Sequence, residues 1–193
     1  DRERGRGRKV VPSPVKELAL QKGVSLLQPE KVKEVSFQEA LKDLNPDLFI
    51  VVAYGQILSK SLLTIPKHGA VNVHGSLLPK YRGAAPIAWA ILKGEKETGV
   101  TTMMMDEGMD TGDLLLQSKV PIREEETTET LRDRLASLGA QMLTETLKRM
   151  KTGEIQAIPQ DHSKASYAPM LKKEDGSIDW TKEAEAIDRQ VRA

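Results

Sequence analysis

The stretch DLFIVVAY, residues 47–54, is a nearly unbroken apolar run that follows the helix-breaking Pro46. Its residues do not alternate between apolar and polar, so the run predicts a strand over 48–54 that is buried on both faces. Strands of that kind are typical of the parallel sheet of an α/β domain. On either side of it, short apolar strands alternate with helical patterns, which indicates the same fold class.

Turn residues and apolar periodicity place the other elements. The pattern predicts helices over 14–22, 30–44, 59–64, 85–93 and 128–152, and the beginning of another over 181–193. It predicts strands over 24–27, 70–74, 99–105 and 114–120. We therefore expect an α/β fold with a mainly parallel sheet flanked by helices.

Composition limits the class of protein. The chain has 193 residues, of which 39% are hydrophobic and 30% charged, as in an ordinary globular protein with one sizeable core. It contains no cysteine, which excludes disulfides, thiolate metal sites and a cysteine nucleophile. No apolar run reaches the roughly 18 residues of a membrane span, and no signal peptide is visible, so no membrane partner is expected.

The first nine residues, DRERGRGRK, are strongly basic, although the net charge of the whole chain is only +1. Glycines between arginines and the lack of apolar side chains predict a mobile basic loop that does not pack. Two interpretations stay open from the residues alone. The loop is either a solvated tail or an arm for a polyanion, because arginine suits phosphate and glycine allows close backbone approach.

A second short strand ends in an unusual loop, AVNVHGSLLPKYRGAAP, residues 70–86. Asn72 and His74 lie two residues apart on this strand, so they share one face of the sheet. Gly75 and Pro79 end the strand there, and ligands of α/β sheets bind beyond the carboxyl ends of strands. An amide donor and a titratable ring at that place indicate a site. The alternative is a structural histidine, which is how we interpret His68 and His162.

The loop MDEGMDTGD, residues 105–113, is rich in carboxylates among glycines. An acidic turn without a ligand is one interpretation, and a metal site is another, although the spacing of an EF-hand is absent. In a third, one carboxylate reaches His74 and orients the imidazole. Amide, histidine and carboxylate would then form an acid–base site for acyl-type transfer without a covalent nucleophile.

Two stretches, NVHGSLLPKYRGAAP (residues 72–86) and ETGVTTMMMDEGMDTGDLL (residues 97–115), closely resemble the methionyl-tRNA formyltransferase family. The likeness extends from GRGRKVVPSPVK near the start to IDWTKEAEAIDRQVRA at the end. It implies a Rossmann-like formyltransferase fold that lacks its first strand and helix and nearly all of a C-terminal tRNA-binding β-barrel. Residues 1–153 would form the catalytic domain, and residues 154–193 its end and a linker toward that barrel.

The resemblance also implies site residues and two substrates. Asn72, His74 and Asp110 match the catalytic trio of folate-dependent formyltransferases, which use 10-formyltetrahydrofolate and no metal. The positions that match the folate-binding segments are Gln56, Leu58, Ser76, Leu77, Leu78, Pro79, Met105 and Asp106. Contacts with initiator methionyl-tRNA are expected from Arg6, Arg8, Lys9 and Arg82.

Other functions share this core. Formyltransferases acting on nucleotide amino-sugars and hydrolase-type domains for 10-formyltetrahydrofolate have a very similar HGSLLP…RG pattern, and a folate binder without activity is a further alternative. The arginine-rich arm and RGAAP favour tRNA, because such an arm suits an RNA backbone. The family resemblance implies a monomer in the bacterial cytoplasm or an organellar matrix.

Overall fold

The computed structural model describes residues 2–4 and 9–193, with the backbone alone for residues 2–4, 9 and 10. The strands are β1 Arg2–Arg4, β2 Lys9–Val11, β3 Phe49–Val51, β4 Ala70–His74, β5 Glu97–Met104 and β6 Leu114–Pro121. The α-helices are α1 Pro14–Gln21, α2 Val35–Asp43, α3 Lys60–Leu63, α4 Pro86–Leu92, α5 Thr128–Thr152 and α6 Ala184–Arg192. None of these helices combines the length and the apolar character that crossing a membrane requires.

The central sheet has the strand order β3-β4-β5-β6. β3 runs parallel to β4, whereas β4 and β5 are antiparallel, as are β5 and β6. The α/β class is confirmed, but the described sheet is mixed, so the expectation of a mainly parallel sheet is wrong. The loop 105–113 joins β5 to β6 without a crossover helix. The chain therefore returns in the antiparallel direction between these two strands.

β3 is the edge strand among the described residues, because its one partner there is β4. The prediction that this strand is buried on both faces is wrong: the side chain of Ile50 is 47% exposed, and Val52 just beyond the strand is also exposed. The apolar run DLFIVVAY identified a strand correctly, but a run of letters does not reveal how many neighbours the strand has.

The longest helix, α5, packs across the sheet and builds the main core. Leu131, Leu135 and Met142 are buried in one cluster with Ile91 of α4 and Val100 of β5. At the point of closest approach the helix carries Gly139, where a Cβ would lie 3.0 Å from the side chain of Val73 on β4. A buried hydrogen bond of 2.8 Å between the hydroxyls of Thr102 and Thr146 also joins sheet and helix. This packing fixes the strand that carries Asn72 and His74.

The strand predicted over 70–74 and the helix predicted over 128–152 are found with those ends, and the other predicted elements are found with shifted ends, except for one strand. The helix predicted over 30–44 is shorter, residues 35–43. The strand predicted over 24–27 is wrong, because residues 24–27 have no regular structure. The backbone N–H of Val24 donates instead to the Ala19 carbonyl at 2.9 Å and so helps to end α1.

The basic start of the chain contains a two-stranded antiparallel ribbon in which Arg2 lies opposite Val11 and Arg4 opposite Lys9. The prediction of a mobile loop is therefore wrong for residues 2–4 and 9. Strand pairing uses backbone groups, so a ribbon can form without an apolar face. Residues 1 and 5–8 lie outside the described residues.

After α5 the chain, which includes a short 3-10 helix over His162–Lys164, runs over the loops at one side of the sheet. Ile158 pairs with Leu114 through hydrogen bonds of 2.8 and 2.9 Å, and Tyr167 bridges to Arg82. The segment between them, residues 159–166, therefore passes directly over the loops that follow β4 and β5. It contributes side chains to the site described below.

A carboxylate at the start of α5 is buried and paired. Glu126 is 7% exposed and binds Arg134 through contacts of 2.8 and 2.7 Å, while the N–H of Arg123 donates to it at 2.9 Å. Burial by itself would raise the pKa of Glu126, but the hydrogen bonds from Arg134 and Arg123 and their charges leave the pKa below its ordinary value. The paired carboxylate therefore stabilises the folded state.

We predict that Glu126→Gln lowers the free energy of unfolding at pH 7 by roughly 1–3 kcal/mol, because a charged hydrogen bond is lost. The folded pKa lies below the unfolded one, so the contribution is present above the unfolded pKa and disappears as the pH falls through the folded value. Urea unfolding of the full-length protein from pH 7 to pH 3 measures this. The exposed neighbour Glu125→Gln is the control, and equal stability of both variants would contradict the prediction.

Candidate active site

The carboxyl end of β4 presents the amide of Asn72 and the imidazole of His74 on the same face of the sheet. The imidazole is 6% exposed. Its Nε2 lies 2.9 Å from the backbone carbonyl of Tyr81. A carbonyl only accepts hydrogen bonds, so Nε2 carries a proton and Nδ1 points to the other side of the ring.

The loop between β5 and β6 brings Asp110 to these two side chains. One carboxylate oxygen, Oδ1, accepts a long hydrogen bond of 3.4 Å from the amide of Asn72. The other, Oδ2, lies 3.6 Å from Nδ1 of His74 and accepts a hydrogen bond of 2.7 Å from the N–H of Gly83. The predicted trio is therefore assembled, and of the three earlier interpretations of the acidic loop the structure favours the carboxylate that reaches His74.

The contact between His74 and Asp110 depends on protonation. In the neutral ring the proton is on Nε2, and a lone pair of Nδ1 faces the carboxylate. In the imidazolium an N–H faces it, and the contact becomes an ion pair. The Nδ1 to Oδ2 distance of 3.6 Å is longer than a strong hydrogen bond, so an N–H on Nδ1 is only weakly engaged by the carboxylate. The arrangement thus suits the stabilisation of negative charge and the transfer of protons.

Tyr81, whose carbonyl holds His74, is itself fixed from several directions. Its hydroxyl donates to Glu95 at 2.7 Å, and its backbone N–H donates to the hydroxyl of Ser166 at 2.9 Å. Burial and the hydrogen bond to Glu95 raise the pKa of the Tyr81 phenol above its usual range, so the hydroxyl stays protonated. The carbonyl that orients the imidazole is consequently held at a fixed place.

The loop that follows His74, which contains four of the predicted folate positions, is held by buried and partly buried hydrogen bonds. The hydroxyl of Ser76 donates to the Lys80 carbonyl at 2.6 Å, and the N–H of Leu78 donates to the Thr101 hydroxyl at 3.2 Å. Gln117 donates to the carbonyl of Leu78 at 2.8 Å, just before a cis peptide bond to Pro79. Ser76 and Leu78 are buried, whereas Leu77 and Pro79 are half-buried.

The other predicted folate positions lie on two neighbouring segments. Lys60, just after the segment with Gln56 and Leu58, is 3.6 Å from Glu107 in the loop with Met105 and Asp106. The Gln56 amide is engaged with the backbone of residues 30 and 32. The carboxylate of Asp106 accepts from the Thr111 hydroxyl at 2.6 Å and so closes its own loop. The structure thus brings the two segments side by side, and their contact with folate stays a prediction.

Of the four residues predicted to contact tRNA, the structure describes the side chain of Arg82 alone. Arg6 and Arg8 lie outside the described residues, and of Lys9 only the backbone in β2 is described. The prediction that Arg82 contacts a phosphate is wrong for this structure, because the side chain is 2% exposed. Its guanidinium donates to Gln160 at 2.6 Å and contacts Nδ1 of His162 at 3.1 Å. Arginine in RGAAP is therefore part of the framework of the site.

Sequence reasoning missed Gly83 and Gln160. Gly83 adopts φ +115°, and a Cβ there would lie 2.8 Å from the carbonyl oxygen of Ala168. The glycine that follows Arg82 was a usable signal for a tight backbone position. Gln160 lies in a polar segment without periodicity, and no signal in a single sequence would have found it. Across the part of the chain that the structure describes, no group of three or more acidic or histidine side chains could hold a metal ion.

The fold and the trio together define an α/β domain with an acid–base site at the rim of its sheet. Comparison with protein families makes this more specific. The family model described as formyl transferase matches residues 1–147, and that of the formyl transferase C-terminal domain matches residues 170–193. The chain belongs to the formyl transferase family.

Curated relatives and solved structures agree with this family. Methionyl-tRNA formyltransferases of Citrifermentans bemidjiense and of a Synechococcus strain are each 56% identical to this chain over its whole length. The chain spans about 60% of the length of each of these two relatives.

Among solved structures, an N-formyltransferase of Helicobacter canadensis matches 94% of this chain and 65% of its own, with a TM-score of 0.77 and 24% identity. The formyltransferase PseJ of Anoxybacillus kamchatkensis, solved with tetrahydrofolate and a nucleotide sugar, matches 82% of each chain with a TM-score of 0.66 and 29% identity. The expected Rossmann-like formyltransferase fold is confirmed.

We predict that Gly83→Ala destabilises the full-length protein by roughly 1–3 kcal/mol, because the added Cβ is strained at positive φ and meets a backbone carbonyl. Thermal unfolding measures the loss as a lower Tm. Gly176→Ala is the control, since no atom lies within 4 Å of the Cβ position at that residue. Equal Tm values for the two variants would show that the loop yields at Gly83 without cost.

Proposed function

We propose that the full-length protein transfers the formyl group of 10-formyltetrahydrofolate to the α-amine of initiator methionyl-tRNA. The main observation behind this proposal is that the carboxylate of Asp110 contacts both Asn72 and His74 at the end of β4. Curated methionyl-tRNA formyltransferases that are 52–56% identical over the whole chain support the choice of acceptor.

Formyl transfer to an amine requires stabilisation of an oxyanion and removal of a proton. The amine nitrogen bonds to the formyl carbon, the carbonyl oxygen becomes negative, and the bond from that carbon to the folate nitrogen then breaks. The amine proton passes to the departing nitrogen. The amide of Asn72 has two N–H groups, and the long bond to Asp110 engages one of them, so the other can donate to the oxyanion.

His74 and Asp110 supply the charge and the proton path in this proposal. As an imidazolium, His74 places a positive N–H between the carboxylate and the oxyanion. The hydrogen bond from Nε2 to the Tyr81 carbonyl keeps the ring in its plane during the reaction. Asp110 holds the imidazole and can order a water molecule that carries the amine proton.

The folate is proposed to lie beside the loop that follows His74 and between the two segments joined by Lys60 and Glu107. PseJ, which is 29% identical to this chain, was solved with tetrahydrofolate and thereby supports a folate-derived donor. The residues proposed for this role are Gln56, Leu58, Ser76, Leu77, Leu78, Pro79, Met105 and Asp106.

The acceptor is proposed to be bound by the basic arm, with Arg6, Arg8 and Lys9 on the RNA backbone, together with regions of the full-length protein outside this chain. The bacterial relatives support a bacterial protein that acts in the cytoplasm, and the expectation of a monomer stays a prediction. A nucleotide amino-sugar is the alternative acceptor, because several solved structures of this fold are sugar formyltransferases.

We expect Asn72→Ala and His74→Ala each to reduce turnover at least about a hundredfold, because each removes a donor to the oxyanion. Folate affinity should change little, since neither side chain is proposed to hold the pterin. Formyl transfer to methionyl-tRNA and folate binding by calorimetry measure the two effects. His68→Ala, at an exposed loop position, is the matched control. Near-normal turnover of His74→Ala would refute the assigned role.

The choice of acceptor is tested by competition. Full-length protein receives labelled 10-formyltetrahydrofolate with methionyl-tRNA and a nucleotide amino-sugar at equal concentrations. We expect the label in the tRNA, with a rate that falls steeply as salt is added, because the basic arm releases counterions from phosphates. Arg6→Ala should reduce tRNA use and spare folate binding. Label in the sugar would establish the alternative and leave the chemistry of the trio intact.

A further inference from the structure

Gln160 is a buried amide, 5% exposed, whose hydrogen-bonding groups are all engaged near the trio. Its Nε2 donates to the backbone carbonyl of Asp110 at 2.9 Å and to that of Gly112 at 2.7 Å. Its Oε1 accepts from the Nε of Arg82 at 3.2 Å and from an NH2 group of Arg82 at 2.6 Å. One side chain thus joins the loop after β5 to the loop after β4.

The residue that Gln160 holds has an unusual backbone. Asp110 adopts φ +53°, in the left-handed region that a non-glycine residue enters at a cost of roughly 1 kcal/mol or more. Such a conformation persists only where the surroundings fix it. Gln160 binds the backbone carbonyl of Asp110, and the N–H of Gly83 binds its carboxylate at 2.7 Å. The residue is held at both ends, so its carboxylate points at Asn72 and His74.

Arg82 determines which way the Gln160 amide faces. A guanidinium only donates hydrogen bonds, so it must face Oε1, and the NH2 end of the amide must then face the two carbonyls. Arg82 is in turn fixed by its backbone, because its N–H donates to the Ser166 carbonyl at 2.8 Å and its own carbonyl accepts from Ala168 at 2.7 Å. The orientation of the amide is therefore imposed by buried neighbours.

We propose that Gln160 is a positioning residue for formyl transfer: it holds the left-handed turn at Asp110 from which the carboxylate reaches His74. The inference rests on the proposed function, because it concerns the same carboxylate. It assigns a role in the reaction to a residue of the segment 159–166, which follows the longest helix and contributes none of the trio.

The test uses Gln160→Glu in the full-length protein. Glutamate keeps the length of the side chain and gains an ion pair with Arg82, but it turns an oxygen toward the carbonyls of Asp110 and Gly112 in place of a donor. We expect kcat for formyl transfer to fall by about tenfold or more, because a small displacement of a catalytic group is enough for such a loss. The KM for the folate should stay within about twofold, since no folate position is touched. Gln156→Glu, at an exposed position shortly before Gln160 in the chain, is the matched control.

A double-mutant cycle separates positioning from a purely structural role. If Gln160 acts through Asp110, Gln160→Glu should cause no further loss in an Asp110→Ala background, measured by single-turnover transfer at high enzyme concentration. A general weakening of the fold would lower the rate in both backgrounds. Equal losses in the two backgrounds, or wild-type kcat in the single variant, would overturn the proposal.

A variant that fails to fold and a wild-type protein that is inactive with methionyl-tRNA have different consequences for the proposal. Should Gln160→Glu fail to fold, Gln160→Ala replaces it in the same cycle. The alanine variant removes the amide without adding a charge, and the backbone bridge between Arg82 and Tyr167 does not depend on the side chain of residue 160. If neither variant folds, the amide is required for the fold and the positioning role is refuted. If the wild-type protein itself transfers no formyl group to methionyl-tRNA, the proposed acceptor has failed, and the cycle is repeated with the acceptor that the competition identifies.

Discussion

The carboxylate of Asp110 contacts three residues on two segments of the chain, and the candidate site exists only while it does so. It meets Asn72 and His74 at the end of β4 and the N–H of Gly83 in the loop beyond. A carboxylate that loses such partners while still partly buried is penalised by a large desolvation cost. The loops after β4 and β5 are consequently tied to one another, and movement of either would separate the acid from the imidazole. The mixed sheet and α5 place the two loops side by side, and this carboxylate joins them together with the side chain of Gln160.

Around that contact lies a layer of buried polar groups whose partners are mostly backbone. The Tyr81 carbonyl holds His74, the carbonyls of Asp110 and Gly112 hold Gln160, and Gln160 holds Arg82. Buried polar groups that are fully satisfied fix one geometry, whereas partly satisfied ones destabilise the fold. This explains why an arginine that looks suited to phosphate lies under the surface instead. The guanidinium of Arg82 orients the amide of Gln160, and this amide binds the loop that contains Asp110.

In the proposed function, the chemistry and the choice of acceptor have different locations in the chain. An oxyanion donor, an imidazole and a carboxylate suit formyl transfer to any amine, and the trio occurs here on a fold shared with sugar formyltransferases. In the proposed function, discrimination between acceptors comes from groups that contact the remainder of the acceptor, and the basic start of the chain is proposed as one of them. The site at the sheet and the groups that choose the acceptor can therefore change independently, which is consistent with a family whose members include both tRNA and sugar enzymes.

The sequence by itself determined most of the elements, and its family resemblance predicted the three side chains that the structure brings together. Apolar periodicity located α5 and β4, and the pattern from Asn72 to Pro86 identified the family and predicted two side chains of the candidate site, because these signals are local. Only the tertiary structure decided that the described sheet is mixed, that β3 is an edge strand among the described residues, that Arg82 is buried and that Gln160 binds the loop of Asp110. Each of these depends on contacts between residues distant along the chain. A local pattern states what a residue can do, and packing decides what surrounds it.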